Sequence, residues 1–564
     1  MIHFEKIPYL SIMKFPLFAT ALILLFSFSL FAQRELGVRP TDTGGPLAFE
    51  QAAYDVQSYD VTLNVDPKTK SITGTTIMKA KIVIPTNVIR LDLDTPYDVK
   101  SVEPATGCCY KFERKEGKIW IHFPMTKQAG EEFTTVIKYS GTPRVAPKPP
   151  WIGGFMWEKT PSGADWISVA LQNDGADLMF PCKDHPSDKP AMAAMHITVP
   201  DPLIASGPGK LEGVKKNSDG TSTYNWRMTN PIANYSIVFN AAPYKIVGDK
   251  YKSIDGTTIP IFFYVIPEDE SKAAGLIAEQ KKYLAYYEKY LGPYPFRSQK
   301  VGIVETPHLG MEHSTDIAYG NKFRYAEDGT DWLLLHEFGH EYWANLVTAS
   351  DWRDFWIHEG FQSYMDSLYQ EYLHGKDAYF TAMKNRRKGI RNMQPVAPRE
   401  PKIAYQVYMS EPDYLNSDGD IYGKGALILH SLRYLIGDDA FFRALHRMAY
   451  PTKEMEKLTD GRQERLVNTD DFLTIAEEES KMDLDWFFEL YLRQPKLPTL
   501  VTEVSGSTMN LRWATPNDLR FPMPIDVVIN GKTQRVEMKD GKGSVTFSGA
   551  APAIDPNGWV LKAQ

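Results

Sequence analysis

Residues Trp332 to Trp343 read WLLLHEFGHEYW, two histidines four positions apart with a glutamate directly after the first. Positions i and i+4 of a helix lie one above the other on the same face. His336 and His340 therefore aim two imidazoles at one point, and Glu337 projects beside them, near enough to meet a water there without itself being a ligand. The plain alternative is a buried helix with two satisfied histidines. Histidine is scarce, 12 in 564 residues, and metal is the better reading of this spacing.

A catalytic zinc takes three protein ligands and keeps one position open. The text that follows, FWIHEGFQSYMDSLYQEY, offers Glu359, eighteen residues after His340, at the start of a second predicted helix. A helix, a turn and an antiparallel helix would bring Glu359 back beside the histidines. His358 competes, but as the adjacent residue it points about 100° away round the helix. Asp366 shares the face of Glu359 and could hold a ligand imidazole by its other ring nitrogen; a solvated surface aspartate is the alternative.

Outward from this centre the chain changes character twice. From about Ala48 to Lys250 it is β-like: SYDVTLNVDP puts Tyr59, Val61, Leu63 and Val65 on one face and Asp60, Thr62 and Asn64 on the other, the period-two pattern of a half-buried strand. KAKIVIP and MHITVPDP repeat it, which predicts a mostly antiparallel β domain. After the strand-like IPIFFYVIP, helical spacing takes over with Ile277, Leu284, Tyr287 and Leu291 before Gly292 and Pro293 stop the helix, and helices dominate to about Arg493. Beyond RQPKLP strands return. Ile525, Val527 and Ile529 precede Asn530-Gly531, Val536 and Met538 precede Asp540-Gly541, and Val545 and Phe547 follow, so hairpins in a small β-sandwich are expected.

Length and composition bound the rest. A chain of 564 residues is expected to hold two to four domains. The formal net charge of −7 comes without a run of like charge, so no nucleic-acid partner is expected. The one long apolar run, Phe15 to Phe31, follows Lys14 and ends at the small Ala32. It reads as a secretory signal over residues 1–32, with Met13 as a candidate start, and implies export to the periplasm or beyond. An uncleaved anchor helix is the alternative and the only expected membrane contact. Three cysteines, the adjacent Cys108 and Cys109 and the distant Cys182, make no disulfide framework.

The zinc segment resembles the core of the aminopeptidase N family, the zinc exopeptidases among the gluzincins, whose pattern is H-E-x-x-H, eighteen residues, then Glu. Three further stretches carry the likeness: FPCKDHP from Phe180, GMEH from Gly310, similar to the family's G-x-M-E-N, and YGKGALILHSLRYL from Tyr422, similar to its Y-x-K-G-A helix. The resemblance runs from about residue 48 to the end. It implies a multi-domain α+β protein, with an N-terminal antiparallel β domain over 45–250, a thermolysin-like α-rich catalytic domain over 251–494 and a C-terminal β-sandwich over 495–564.

The resemblance also implies roles. One zinc per chain would sit on His336, His340 and Glu359 and bring the pKa of a water from 15.7 toward about 7. Glu337 would be the general base and Tyr422 the phenol that stabilises the developing oxyanion, worth roughly 3 kcal/mol. Glu312 would pair with a free α-amino group, with Gln172 as a second amine contact and Met311 and Gly310 lining the pocket for the first side chain. The expected activity is release of N-terminal residues from peptides. A thermolysin-like endopeptidase, a leukotriene-A-hydrolase-like epoxide hydrolase and a non-catalytic scaffold are the alternatives; the oligomeric state is left open. Two departures stand out. Leu309 and His313 replace the first Gly and the Asn of G-x-M-E-N, and the large helical domain common in relatives is not expected, which suggests a more open cleft or one closed by a second subunit.

Overall fold

The computed structural model describes residue 39 and residues 41–408 and 419–563. The expected signal segment over 1–32 lies outside them.

The alternation in SYDVTLNVDP becomes strand Tyr54–Asp66, with Tyr59, Val61, Leu63 and Val65 all buried. It is the fourth strand of a seven-stranded sheet ordered Lys210–Lys216, Thr221–Met228, Met192–Pro200, Tyr54–Asp66, Ser71–Ile82, Glu132–Gly141, Tyr97–Glu103. Every pairing is antiparallel except that of Tyr54–Asp66 with Met192–Pro200. A second sheet runs Ile204–Ser206, Asn240–Ala242, Asp165–Ala170, Gly154–Lys159. The strand Asp165–Ala170 leads directly into Gln172, so this sheet delivers that side chain to the junction with the next layer.

The third sheet is mixed, in the order Lys245–Lys252, Thr258–Val265, Val301–Glu305, Ile317–Tyr319, Gly310–Met311. The three central strands are parallel and the two outer ones antiparallel to their neighbours. The expected junction at 250–251 falls inside the hairpin of Lys245–Lys252 with Thr258–Val265, and we place the junction before Lys245. The two-residue strand Gly310–Met311 is the last of the sheet among the described residues and lies beside the site described below.

Eight helices of eight residues or more follow among the described residues: α1 (Ala273–Leu291), α2 (Trp332–Gly339), α3 (Trp356–His374), α4 (Lys376–Arg387), α5 (Gly423–Ile436), α6 (Asp438–Ala449), α7 (Thr469–Ser480) and α8 (Asp485–Arg493). The predicted inner face of α1, Ile277, Leu284, Tyr287 and Leu291, is buried, and Gly292 ends the helix at φ +98°, a conformation that favours glycine. After Arg493 the described residues hold no α-helix. Two three-stranded sheets stand there, Thr499–Ser505 with Thr508–Ala514 and Lys542–Thr546, and Lys532–Val536 with Ile525–Ile529 and Ala553–Ile554. Asn530-Gly531 makes the expected tight hairpin, Ile529 opposite Lys532. Asp540-Gly541 instead closes a single bridge, Lys539 to Lys542, and sends the chain across to pair with Thr508–Ala514 in the other sheet.

Two contacts fix α5 where the site needs it. The C-terminal tail docks on it: the Ser431 hydroxyl donates to the Trp559 carbonyl at 2.9 Å, and the Trp559 ring stacks on His430 at 4.6 Å. On its other side α5 meets α3 through a pair of glycines. A Cβ on Gly425 would stand 2.9 Å from the Gly360 Cα, and one on Gly360 would stand 3.0 Å from the Gly425 Cα. The two backbones are as close as they can be, and so Tyr422, just before α5, reaches Glu359, just before Gly360. Gly425→Ala should therefore force the helices apart, costing about 1–3 kcal/mol as overpacking does. A lowered thermal midpoint together with a loss of activity larger than that of an exposed Gly→Ala control is the expected result.

Candidate active site

The helix α2 begins at Asp331, whose carboxylate caps it by accepting from the Leu334 N–H at 3.1 Å. The same side chain accepts from the Tyr319 hydroxyl at 2.6 Å and the Asn321 amide at 2.9 Å, tying the start of the helix to the mixed sheet. The helix breaks soon after His340. Trp343, at φ −101° and ψ 61°, and Ala344 leave helical geometry, which frees the Trp343 carbonyl from the helical ladder. That carbonyl takes the Nδ1 proton of His340 at 3.0 Å. On His336, Nδ1 faces Asp366 Oδ2 at 2.9 Å. Asp366 is held in turn by the Gln362 amide at 2.9 Å and by Arg386 of α4 at 3.1 Å.

With both Nδ1 atoms engaged as donors, both Nε2 atoms present lone pairs. They lie 3.3 Å apart, and Glu359 Oε2 stands 3.5 Å from His336 Nε2 and 3.4 Å from His340 Nε2. This oxygen is buried and, among the described residues, has no hydrogen-bond partner outside the triangle. Its companion Oε1 accepts from the Tyr422 hydroxyl at 2.9 Å. With neutral rings, three acceptors on a nearly equilateral triangle repel one another unless a proton or a metal cation lies between them. Donors about 2.0–2.1 Å from a tetrahedral zinc stand about 3.3–3.4 Å from each other, so the set fits that ion. His358 turns away as expected, its Nε2 accepting from the Ala349 N–H at 2.9 Å, and burial holds it neutral by lowering its pKa to about 3.

The remaining expected residues surround the triangle. One cavity is lined by Gln172, Gly310, Met311, Glu312, Glu337 and Tyr422 together with the three donors. Acceptor atoms of Glu312, Glu337 and His340 all lie within 4.8 Å of one another. A Cβ on Gly310 would come within 2.6 Å of Glu337 Oε1, so the glycine makes room for that carboxylate. Burial raises the Glu337 pKa to about 8; the two imidazoles oppose the rise, and Glu312 and Glu359 add to it. Burial also raises Glu312. Burial, then the Glu359 charge, lifts Tyr422 well above an ordinary phenol, which keeps it a proton donor. Three carboxylates crowded in one cavity favour positive charge among them, whether protons or a metal cation.

Sequence reasoning missed several members. Tyr235 of the β domain donates to Glu312 Oε1 at 3.0 Å, beside the Gln172 amide, which donates to the same oxygen. Asn345 donates to the Glu312 carbonyl at 3.0 Å. Pro150, Trp151, Asn173, Leu309, Trp332, Leu333 and Tyr408 complete the lining. Tyr235, Asn345 and Trp151 carry no mark in the spacing because they lie far from the zinc motif or off its helical pattern, whereas Leu309, Trp332 and Leu333 adjoin the motifs themselves. The His313 departure does not reach the cavity: the side chain is fully buried behind it, and burial keeps the ring neutral.

Two models of one family match this chain, the Peptidase M1 N-terminal domain over residues 56–236 and the Peptidase family M1 domain over 277–491. The chain belongs to peptidase family M1. Among the similar M1 relatives, leucine aminopeptidase 2 of Vanderwaltozyma polyspora is 26% identical over 480 residues, 82% of this chain and 70% of that protein. Tricorn protease-interacting factor F2 of Thermoplasma acidophilum is 22% identical over 69% of this chain. The chain spans about half of that factor's length, 49%. The crystal structure of an M1 zinc metallopeptidase from Deinococcus radiodurans superposes with a TM-score of 0.63 at 22% identity, covering 79% of this chain and 95% of that one. A mutant of that protein bound to a Tyr-Ser-Ala substrate gives 0.61 at 22% identity with the same coverage. At this identity the structures establish the shared M1 fold.

The triangle makes a quantitative expectation. Purified protein should carry one zinc per chain, and His340→Ala should abolish it. Asp366→Asn should keep the site but weaken it about 10–100-fold, the usual cost of losing a carboxylate behind a ligand histidine. Metal content after dialysis against graded chelator measures both; unchanged retention in Asp366→Asn would contradict the role given to that carboxylate.

Proposed function

We propose that this M1 protein is a zinc-dependent aminopeptidase, with His336, His340 and Glu359 as the metal ligands. The observation that carries the proposal is the place of Glu312, an acceptor in the same cavity as Glu337 and within 4.8 Å of both it and His340. A carboxylate one residue's length from the reacting centre accepts the α-ammonium of a peptide's first residue, so only chains that begin there sit productively. The names of the yeast and Lactococcus lactis relatives, leucine aminopeptidase 2 and aminopeptidase N, support the same activity.

When bound, zinc supplies Lewis-acid polarisation of the scissile carbonyl and an acidified water. The chain's own groups do the rest. Glu337 takes the water's proton on a carboxylate oxygen and passes it to the leaving amine nitrogen, a transfer suited to a group held near neutrality by burial. Tyr422, already donating toward Glu359, lies where its O–H can turn to the carbonyl oxygen as charge develops. Glu312, with Gln172 beside it, holds the amine, and Met311 and Gly310 border the first side chain. An endopeptidase would have no use for a buried carboxylate at the amine position.

We further propose that the protein acts outside the cytoplasm on peptides with a free amino terminus. The support is the apolar run from Phe15 to Phe31 with Ala32 after it. Terminal sequencing of the mature protein checks this, and a chain that still begins at Met1 or Met13 in the soluble fraction contradicts it.

For the chemistry, Glu337→Gln should retain zinc and lose at least about 10³-fold in kcat, and Tyr422→Phe should lose about 10²–10³-fold. Glu312→Ala should act mainly on KM for substrates with a free amine. An aminoacyl p-nitroanilide assayed beside its N-acetylated form reads all three. Equal cleavage of the acetylated form would remove the exopeptidase reading and favour an endopeptidase.

A further inference from the structure

We infer that Tyr235, a residue of the β domain, is a positioning residue that sets how Glu312 receives the substrate's amino group; this rests on the aminopeptidase reading above. Tyr235 lies in the single turn Asn234–Ser236, is buried, and donates its hydroxyl to Glu312 Oε1 at 3.0 Å. The Gln172 amide donates to that same oxygen. With both donors on Oε1, Oε2 is the oxygen left to accept from an ammonium group.

The fixing is necessary because the terminal torsion of a glutamate is broad and selects no orientation by itself. Tyr235 is itself immobilised. The amide of the neighbouring Asn234 donates to the Lys183 carbonyl at 2.7 Å. The Tyr235 ring tilts against Trp352 at 6.1 Å, and the Trp352 indole N–H is engaged by Thr43 at 3.2 Å. The phenol is thus a rigid donor on one domain that orients a carboxylate on the other, and binding no longer has to order that carboxylate. The ammonium contact is the same in the ground state and the transition state, so losing this alignment acts on KM and leaves kcat.

The test compares alanyl-p-nitroanilide with propionyl-p-nitroanilide, which has the same outline without the amine. Tyr235→Phe should raise KM for the alanyl substrate about 10-fold, as loss of one hydrogen bond to a charged group does, with kcat within about twofold and zinc content unchanged. The alanyl-over-propionyl preference should fall by the same factor. Added to Glu312→Ala, Tyr235→Phe should change nothing further, since the two act through one contact. An unchanged KM, a fall in kcat alone, or an equal further loss in the Glu312→Ala background, as general misfolding would give, overturns the assignment. A wild-type enzyme that cleaves both substrates equally fails the aminopeptidase reading itself; one that discriminates, with a Tyr235→Phe variant that discriminates as well, fails only the role of Tyr235.

Discussion

His336 Nε2, His340 Nε2 and Glu359 Oε2 converge within 3.5 Å of one another, and among the described residues no group outside the triangle donates to Glu359 Oε2. Such an arrangement costs free energy in the bare chain, since buried acceptors without partners forfeit their hydration. The surrounding structure imposes it all the same. Asp366 and the Trp343 carbonyl hold the two Nδ1 protons, fixing both tautomers so that the rings cannot escape by exchanging donor for acceptor. Tyr422 occupies Glu359 Oε1, which leaves Oε2 committed to the triangle. Each second contact removes one way for the cluster to relax, and the binding of a cation then recovers what folding stored.

That requirement explains local features which look costly in isolation. The helix carrying the histidines ends in a distorted turn at Trp343 and Ala344, giving up regular hydrogen bonds; the return is a carbonyl aimed at His340. The helices α3 and α5 meet through Gly360 and Gly425, giving up side-chain burial at the crossing. What they gain is an approach close enough for a phenol on one to reach a carboxylate on the other. Gly310 gives up a side chain on the sheet edge, and Glu337 occupies the space.

The legible parts of this design were those in which chemistry and spacing coincide. The pair His336 and His340 and the later Glu359 lie on elements whose periodicity is plain, so their convergence follows from helix geometry. The outline of the fold was legible for the same reason: alternation in Tyr54–Asp66, helical spacing in α1 and the Asn530-Gly531 turn all express local preferences that tertiary packing did not override. Asp540-Gly541 turned the chain as its type demands, yet the next strand paired with Thr508–Ala514 in the other sheet although Lys532–Val536 is also an edge strand, a choice made by tertiary packing and not by the turn. Tyr235 was illegible because its meaning is a contact with Glu312, 77 residues away along the chain, and one tyrosine among 30 carries no local mark. The family resemblance supplied Gln172 and Tyr422, which position alone would not have singled out.

The division of labour between domains follows from the same contacts. Metal ligands, base and phenol all come from residues 336–422, so the catalytic domain holds the machinery for breaking an amide bond. Both donors that orient Glu312 come from the β domain, Gln172 from the end of one strand and Tyr235 from a turn. Restriction to chain ends is then a property of the junction and of neither domain alone. Rigidity across that junction matters more than rigidity within either part, because a shift of about 1 Å spoils a bifurcated acceptor while leaving a metal triangle intact. The contacts that secure it, Trp352 packed on Tyr235 and hydrogen-bonded to Thr43 of the leading segment, are uncharged and short-range, which suits an alignment that must persist whether or not a charged substrate is present.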